Sequence, residues 1–166
     1  MATEPIGLSK FRVEKQRVGA VITLSGGEFT RGYFFVAGGS ARHAGPERVG
    51  DLLNSEAVFL PFEIHDSAGV RTEVINRHHV IMVAIDGDEA SRDPGYSVAK
   101  RRDVSILLSN GQRVMGAIRI HMPEGRDRLS DWARDPEIFR YVETDETTLI
   151  VNMAHVIEVN EVSDDE

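Results

Sequence analysis

Ile106-Leu107-Leu108-Ser109-Asn110-Gly111-Gln112-Arg113-Val114-Met115-Gly116 reads as an apolar strand, a turn, and a second strand with a glycine five residues past the turn glycine. Asn-Gly between apolar runs predicts a two-residue hairpin turn, because both central positions must reach positive φ. A glycine inside the following strand predicts a sharp bend or the close approach of another backbone. Val114, Ile118 and Ile120 share a face with Gly116 and are expected to point at the core.

The pattern is written twice. Val18 to Leu24 runs apolar into Ser25-Gly26-Gly27-Glu28, and Gly32 stands where Gly116 stands. The match continues in fixed order: Arg48 with Arg128, Asp51 with Asp131, Phe59 with Phe139, Asn76 with Asn152, His79-Val80 with His155-Val156, and Val83 with Val159. An ordered duplication predicts two copies of one structural unit. Paired positions differ by 84 at the glycines, by 80 from the arginine to the phenylalanine, and by 76 from the asparagine onward. Each step removes four residues from the second copy. Surface loops tolerate such changes, so loops are expected at Ala37 to Glu47 and His121 to Asp127, and again at His65 to Thr72 and Glu143 to Thr147.

Between these loops, Arg48-Val49-Gly50-Asp51-Leu52-Leu53-Asn54 and Arg128-Leu129-Ser130-Asp131-Trp132-Ala133-Arg134 carry apolar residues at helical spacing, which predicts one short helix per copy. Glu73 to Ile85 and Thr148 to Val162 each hold two β runs interrupted by Asn-x-x-His, the pattern of strand, helical turn and last strand. The expected organisation is a lead over 1–17, a first unit over 18–86, a linker over 87–101, a second unit over 102–162 and an acidic tail over 163–166. Units of this size bury only about 60% of their unfolded surface, so they are expected to pack on each other or on further chains.

Composition narrows the function. The chain has 166 residues, 41% of them hydrophobic, and no Cys, which excludes disulfides, thiolate catalysis and Cys-ligated zinc. No apolar run approaches the ~20 residues that a membrane helix needs, and a cytoplasmic protein is expected. The charge of −8 is uneven: residues 1–86 hold 10 acidic and 9 basic side chains, and residues 87–166 hold 17 and 10. An acidic surface opposes phosphate binding, so DNA is not expected as a partner. Two basic clusters, Lys10, Arg12, Lys15 and Arg17, and Lys100-Arg101-Arg102, read as solvated flanking charge.

With a glycine hairpin, a bent second strand and a last pair joined by a short turn, each copy resembles the small five-stranded barrels of Sm-like or SH3-like type. Ile106 to Gly116 resembles the first Sm motif. Val151-Asn152-Met153-Ala154-His155-Val156-Ile157-Glu158-Val159 and Ile75-Asn76-Arg77-His78-His79-Val80-Ile81-Met82-Val83 resemble the second. The resemblance implies an all-β fold of two tandem barrels and, as in bacterial Hfq-type proteins, ring assembly through edge strands and contact with uridine-rich RNA at the turn. This chain departs from it in two respects: a helix is inserted around Asp51 and Asp131, and the Lys of the RNA-contacting Lys-His pair is replaced by His78 and Ala154. The closer likeness is to uncharacterised bacterial Sm-like domains with an Arg-x-x-Asp helix, which bring no established activity.

Asn76, Arg77, His79, Asn152 and His155 are the candidate ligand or RNA contacts. Their bland reading is structural, with Asn fixing the turn and His packing its ring. Trp132 and Phe34 are the candidates for a partner interface. His65, Asp66, His78 and His79 lack metal-ligand spacing, and a cyclic-dinucleotide site would need glycine at Leu108. Neither a phosphate loop nor a nucleophile elbow is present. The sequence therefore points to a non-enzymatic interaction or assembly module without cofactor or metal, binding a protein partner or itself, with RNA binding as the alternative.

Overall fold

Both hairpins form where the repeat places them, but each turn has three residues. The computed structural model describes residues 15–38, 45–123 and 125–163. Leu24 N–H donates to Glu28 O and Gly27 N–H to Leu24 O, and Leu108 to Gln112 repeats both bonds. Within each turn a single residue, Gly27 (φ 89°) or Gly111 (φ 86°), takes positive φ. A type I turn followed by a left-handed glycine therefore replaces the expected two-residue turn, which would need positive φ at two positions.

The fold is all-β with two short helices. The first copy contributes β1 (Lys15–Leu24), β2 (Phe29–Ala37), a helix (Val49–Leu53), β3 (Phe59–Asp66), β4 (Gly69–Asn76), a 3-10 turn (Arg77–His79) and β5 (Val80–Ile85). The second repeats this order with β6 (Lys100–Leu108), β7 (Arg113–Ile120), a helix (Leu129–Ala133), β8 (Phe139–Glu143), β9 (Thr148–Asn152), a 3-10 turn (Met153–His155) and β10 (Val156–Glu161). Each helix starts alike: Asp51 and Asp131, at the third helical position, accept from the backbone N–H of Arg48 (3.0 Å) and Arg128 (3.2 Å).

One of the expected loops is strand. Where the first copy is longer, β3 and β4 continue their ladder through Ile64↔Arg71, His65↔Val70 and Asp66↔Gly69. The second copy turns back earlier, at Thr144 to Thr147. An even number of extra residues lengthens both arms of a hairpin without flipping its faces, so this site tolerates the change as well as a loop would. Residues 39–44 of the other expected loop, residues 1–14 of the lead, and residues 164–166 of the tail lie outside the described residues.

All ten strands belong to one antiparallel sheet, in the order β10-β6-β7-β8-β9-β5-β1-β2-β3-β4, and the sheet does not close. Gly32 and Gly116 lie within β2 and β7 where the next strand comes close. A Cβ at Gly116 would meet Glu143 O at 2.7 Å, and one at Gly32 would collide with Glu63 O, so bareness is required where β3 and β8 cross. Val114, Ile118 and Ile120 are buried as their spacing predicts.

There are two apolar cores, and each borrows from the other copy. Phe139 and Ile150 enter the cluster of Ile22, Phe34 and Phe62, while Ile81 and Met82 enter that of Ile106, Ile118 and Val142. The exchange follows from the central pairing of β5 with β9, which joins the halves through Met82↔Val151, Val83↔Ile150, Ala84↔Leu149 and Ile85↔Thr148.

Candidate functional site

The repeated Asn-x-x-His turns lie at this central junction. Asn76 Oδ1 accepts from His78 N–H and Asn152 Oδ1 from Ala154 N–H, each at 2.9 Å, so each asparagine caps its own turn. His79 and His155 bind the neighbouring hairpin through Ser25 Oγ (2.9 Å) and Ser109 Oγ (2.8 Å). The second copy goes further. Asn152 Nδ2 donates to Val80 O (2.9 Å), and His155 Nε2 meets His78 O (2.8 Å), both across the junction. That contact makes Nε2 the donor and leaves Nδ1 to accept from Ser109. Among the described residues, Asn76 Nδ2 and His79 Nε2 have no such partner.

Arg77 is turned away from the histidines. Its guanidinium donates to Leu53 O (3.2 Å) and Ser55 O at the end of the first helix. Arg140 does the same work in the second copy, donating to Trp132 O, Asp135 O and Glu137 O and stacking on Trp132 at 4.6 Å. Burial holds the Arg140 pKa below the ordinary value. Phe34 (1% exposed) packs edge-to-face on Phe62, and Trp132 (7%) lies in the second core. Both were expected at a partner interface; instead their rings face inward and are buried in the cores of this chain.

A second set of contacts ties the first helix to the segment between the copies. This stretch, expected as a linker, is pinned to the fold. Glu89, buried, accepts from Val49 N–H at the helix start, Asp93 pairs with Arg48 (2.5 Å), and Arg92 donates to Pro46 O (3.0 Å). Tyr96 donates to Glu143 (2.6 Å), and Arg119 lies over its ring at 4.4 Å. Burial pushes the Glu89 carboxyl up to about 7 despite the Val49 bond and the charges of Arg92 and Arg48. Arg48 is held above its ordinary value: burial opposes its charge, but the Asp51 hydrogen bond and the fields of Tyr141, Asp93 and Asp51 win. A cleft of about 140 Å³ beside this strap is lined by Arg48, Asp93, Tyr96, Arg119, Trp132 and Arg140. Its charged groups largely satisfy one another, which leaves little to grip a ligand.

The residues that sequence reasoning missed lie at the two ends of the sheet. Among the described residues, β4 and β10 each pair on one side only. Apolar side chains there, Phe59 at the start of β3, Val74 on β4 and Ile157 on β10, are exposed where the same repeat positions inside the molecule are buried: Phe59 57% against Phe139 3%, Val74 67% against Ile150 0%, and Ile157 63% against Ile81 0%. The signal was present, since these three pairs stay apolar in both copies. Among the described residues, no helix is long and apolar enough to cross a membrane. No protein-family model, curated protein or solved structure matches this chain.

Proposed function

We propose that the chain is a non-enzymatic interaction and assembly module whose working surfaces are the two free sheet edges. Each half is read as an Sm-like small barrel: both halves run fifth-first-second-third-fourth strand, and in both the second strand has a glycine where the third-strand backbone leaves no room for a Cβ. One observation carries the functional reading. Val74 of β4 and Ile157 of β10 sit in solvent, whereas their repeat equivalents Ile150 and Ile81 are buried in the strands of the internal junction. An exposed edge with apolar side chains invites strand addition, in which main-chain bonds hold a partner and alternate side chains select it.

The test is hydrogen exchange and sedimentation on the full chain. A defined complex, with another copy or another protein, should protect β4 and β10 amides and be lost in Val74→Lys and Ile157→Lys. A protein that stays a single chain in purified form and in size-fractionated extract overturns this reading. Binding of uridine-rich RNA that weakens steeply with salt, and on His79→Ala with His155→Ala, would replace it with the nucleic-acid reading.

A further inference from the structure

We infer that the segment from Asp88 to Asp93 is a pH-operated latch: it is fastened to the first helix while Glu89 carries a proton, and it lifts, opening the cleft beside it, when Glu89 ionises in the otherwise folded chain.

The segment lies between the two copies, bracketed by Gly87 and Gly95, and its middle is the 3-10 turn Ala90–Arg92. It holds the first half through side chains. Val49 N–H donates to both carboxyl oxygens of Glu89, Arg92 donates to Pro46 O (3.0 Å), and Arg48 pairs with Asp93 (2.5 Å). Past Gly95, Tyr96 keeps a separate hold on the second half through Glu143 (2.6 Å) and Arg119 (3.1 Å). The segment can therefore leave the helix without detaching β6. Buried Ala90 lines the cleft together with Trp132, Arg140 and Tyr141, so the part that is fastened is also the part that closes it.

Charge decides when the segment holds. Glu89 is faced by Arg48 and Asp51 of the first helix and Tyr141 of β8, with Arg92 (3.8 Å) and Asp93 on its own segment. Two guanidinium groups thus stand against two carboxylates, Asp51 and Asp93, and a proton on Glu89 leaves the set balanced. Ionisation adds a buried negative charge, which a lifted segment passes to water. His121 (3.9 Å) and Glu137 face Asp93 from across the cleft and act on the same segment through it.

The sign follows from the proton. In the fastened segment burial pushes Glu89 up to about 7, while in water it returns to the ordinary 4.5. The fastened form therefore binds the proton more tightly, and rising pH favours the lifted one. Across that window the ratio of lifted to fastened segment can change by up to about 300-fold.

The chain has no Cys and a single Trp, Trp132, which lines the cleft. Ala90→Cys should react with a pyridyl disulfide, relative to the exposed control Val98→Cys, about tenfold or more faster at pH 8 than at pH 5. Val83→Cys, in the buried middle of β5, should stay protected at both pH values, and Glu89→Gln should remove the pH dependence at Ala90→Cys. In the unsubstituted chain, acrylamide quenching of Trp132 should rise with a midpoint near pH 7 and stay flat in Glu89→Gln, which tests the latch even where Ala90→Cys does not fold. Flat quenching in the unsubstituted chain overturns the inference, as does a constant reactivity ratio in a folded Ala90→Cys. Parallel exposure of Val83→Cys also overturns it, since that is unfolding of the whole chain. A pH dependence that survives Glu89→Gln overturns it too, and places the switch at His121 or Glu137.

Discussion

Tyr141 of the second half lies directly over Gly50 in the first helix of the first half, so closely that any Cβ on Gly50 would occupy the space of its hydroxyl oxygen and Cζ. The φ of Gly50 is not positive, so the glycine is required by its neighbour and not by its backbone. Gly50→Ala should therefore destabilise the protein by about 1–3 kcal/mol in chemical denaturation, the usual cost of overpacking. Paired with Tyr141→Leu, its cost should shrink, and a strictly additive double mutant would refute the contact.

Gly116 meets something less yielding. Its missing Cβ faces the backbone oxygen of Glu143, which cannot rotate away as a side chain can. Gly116→Ala should cost more than Gly50→Ala, about 3 kcal/mol or failure to fold. Soluble expression and denaturant midpoints of the two variants, compared side by side, check the order.

Arg48 and Arg128 occupy the same repeat position with different surroundings. Arg48 is buried between Asp51 and Asp93, whereas Arg128 lies at the surface end of its helix. Arg48→Met should cost about 3 kcal/mol because it removes the buried guanidinium that pairs with Asp51 and Asp93, while Arg128→Met should cost less than about 1 kcal/mol. Equal losses in thermal melts would contradict the structure.

Glu89 makes stability depend on pH near neutrality. Its folded-state value, about 7, lies above the ordinary carboxylate value of 4.5, so the folded chain binds the proton more tightly than the unfolded one. Stability from this group is complete below about 4.5, falls as pH rises through 7, and is flat above. Over that window the change is on the order of a few kcal/mol at most. Glu89→Gln, whose amide oxygen still accepts from Val49 N–H, should melt higher than the parent at pH 8 and match it near pH 5. The carboxylates held low by their partners, Glu63 by His65 and Asp127 by Lys100, lose stability only at more acidic pH and do not obscure the comparison.

Much of the unit was legible because its signals are local. Gly27 and Gly111 mark turns, Gly32 and Gly116 mark close approaches of another backbone, and Asp51 and Asp131 mark helix starts. The errors were also local and have clear causes. Gly-Gly and Asn-Gly admit either a two-residue turn or a three-residue turn with one left-handed glycine, and the flanking register decides. The four extra residues near His65 lengthened a ladder, because Val70 to Thr72 can pair as strand. Phe34 and Trp132 looked like interface aromatics, yet composition does not say whether an aromatic ring faces the core or a partner. Glu89, within a polar stretch rich in turn formers, gave no sign of burial.

The amino-acid sequence by itself determined the duplication, the all-β class and the order of elements within each copy, since periodicity, turn residues and caps act over a few neighbouring positions. Tertiary structure alone decided that β5 of one copy pairs with β9 of the other, that Asn152 and His155 bind across this junction while Asn76 and His79 do not, and that β4 and β10 pair on one side only among the described residues. The physical reason is that every strand carries the same backbone donors and acceptors. Which edges meet is settled by side-chain volume and burial between distant segments, as where Tyr141 fits over Gly50 and Phe139 enters the first core.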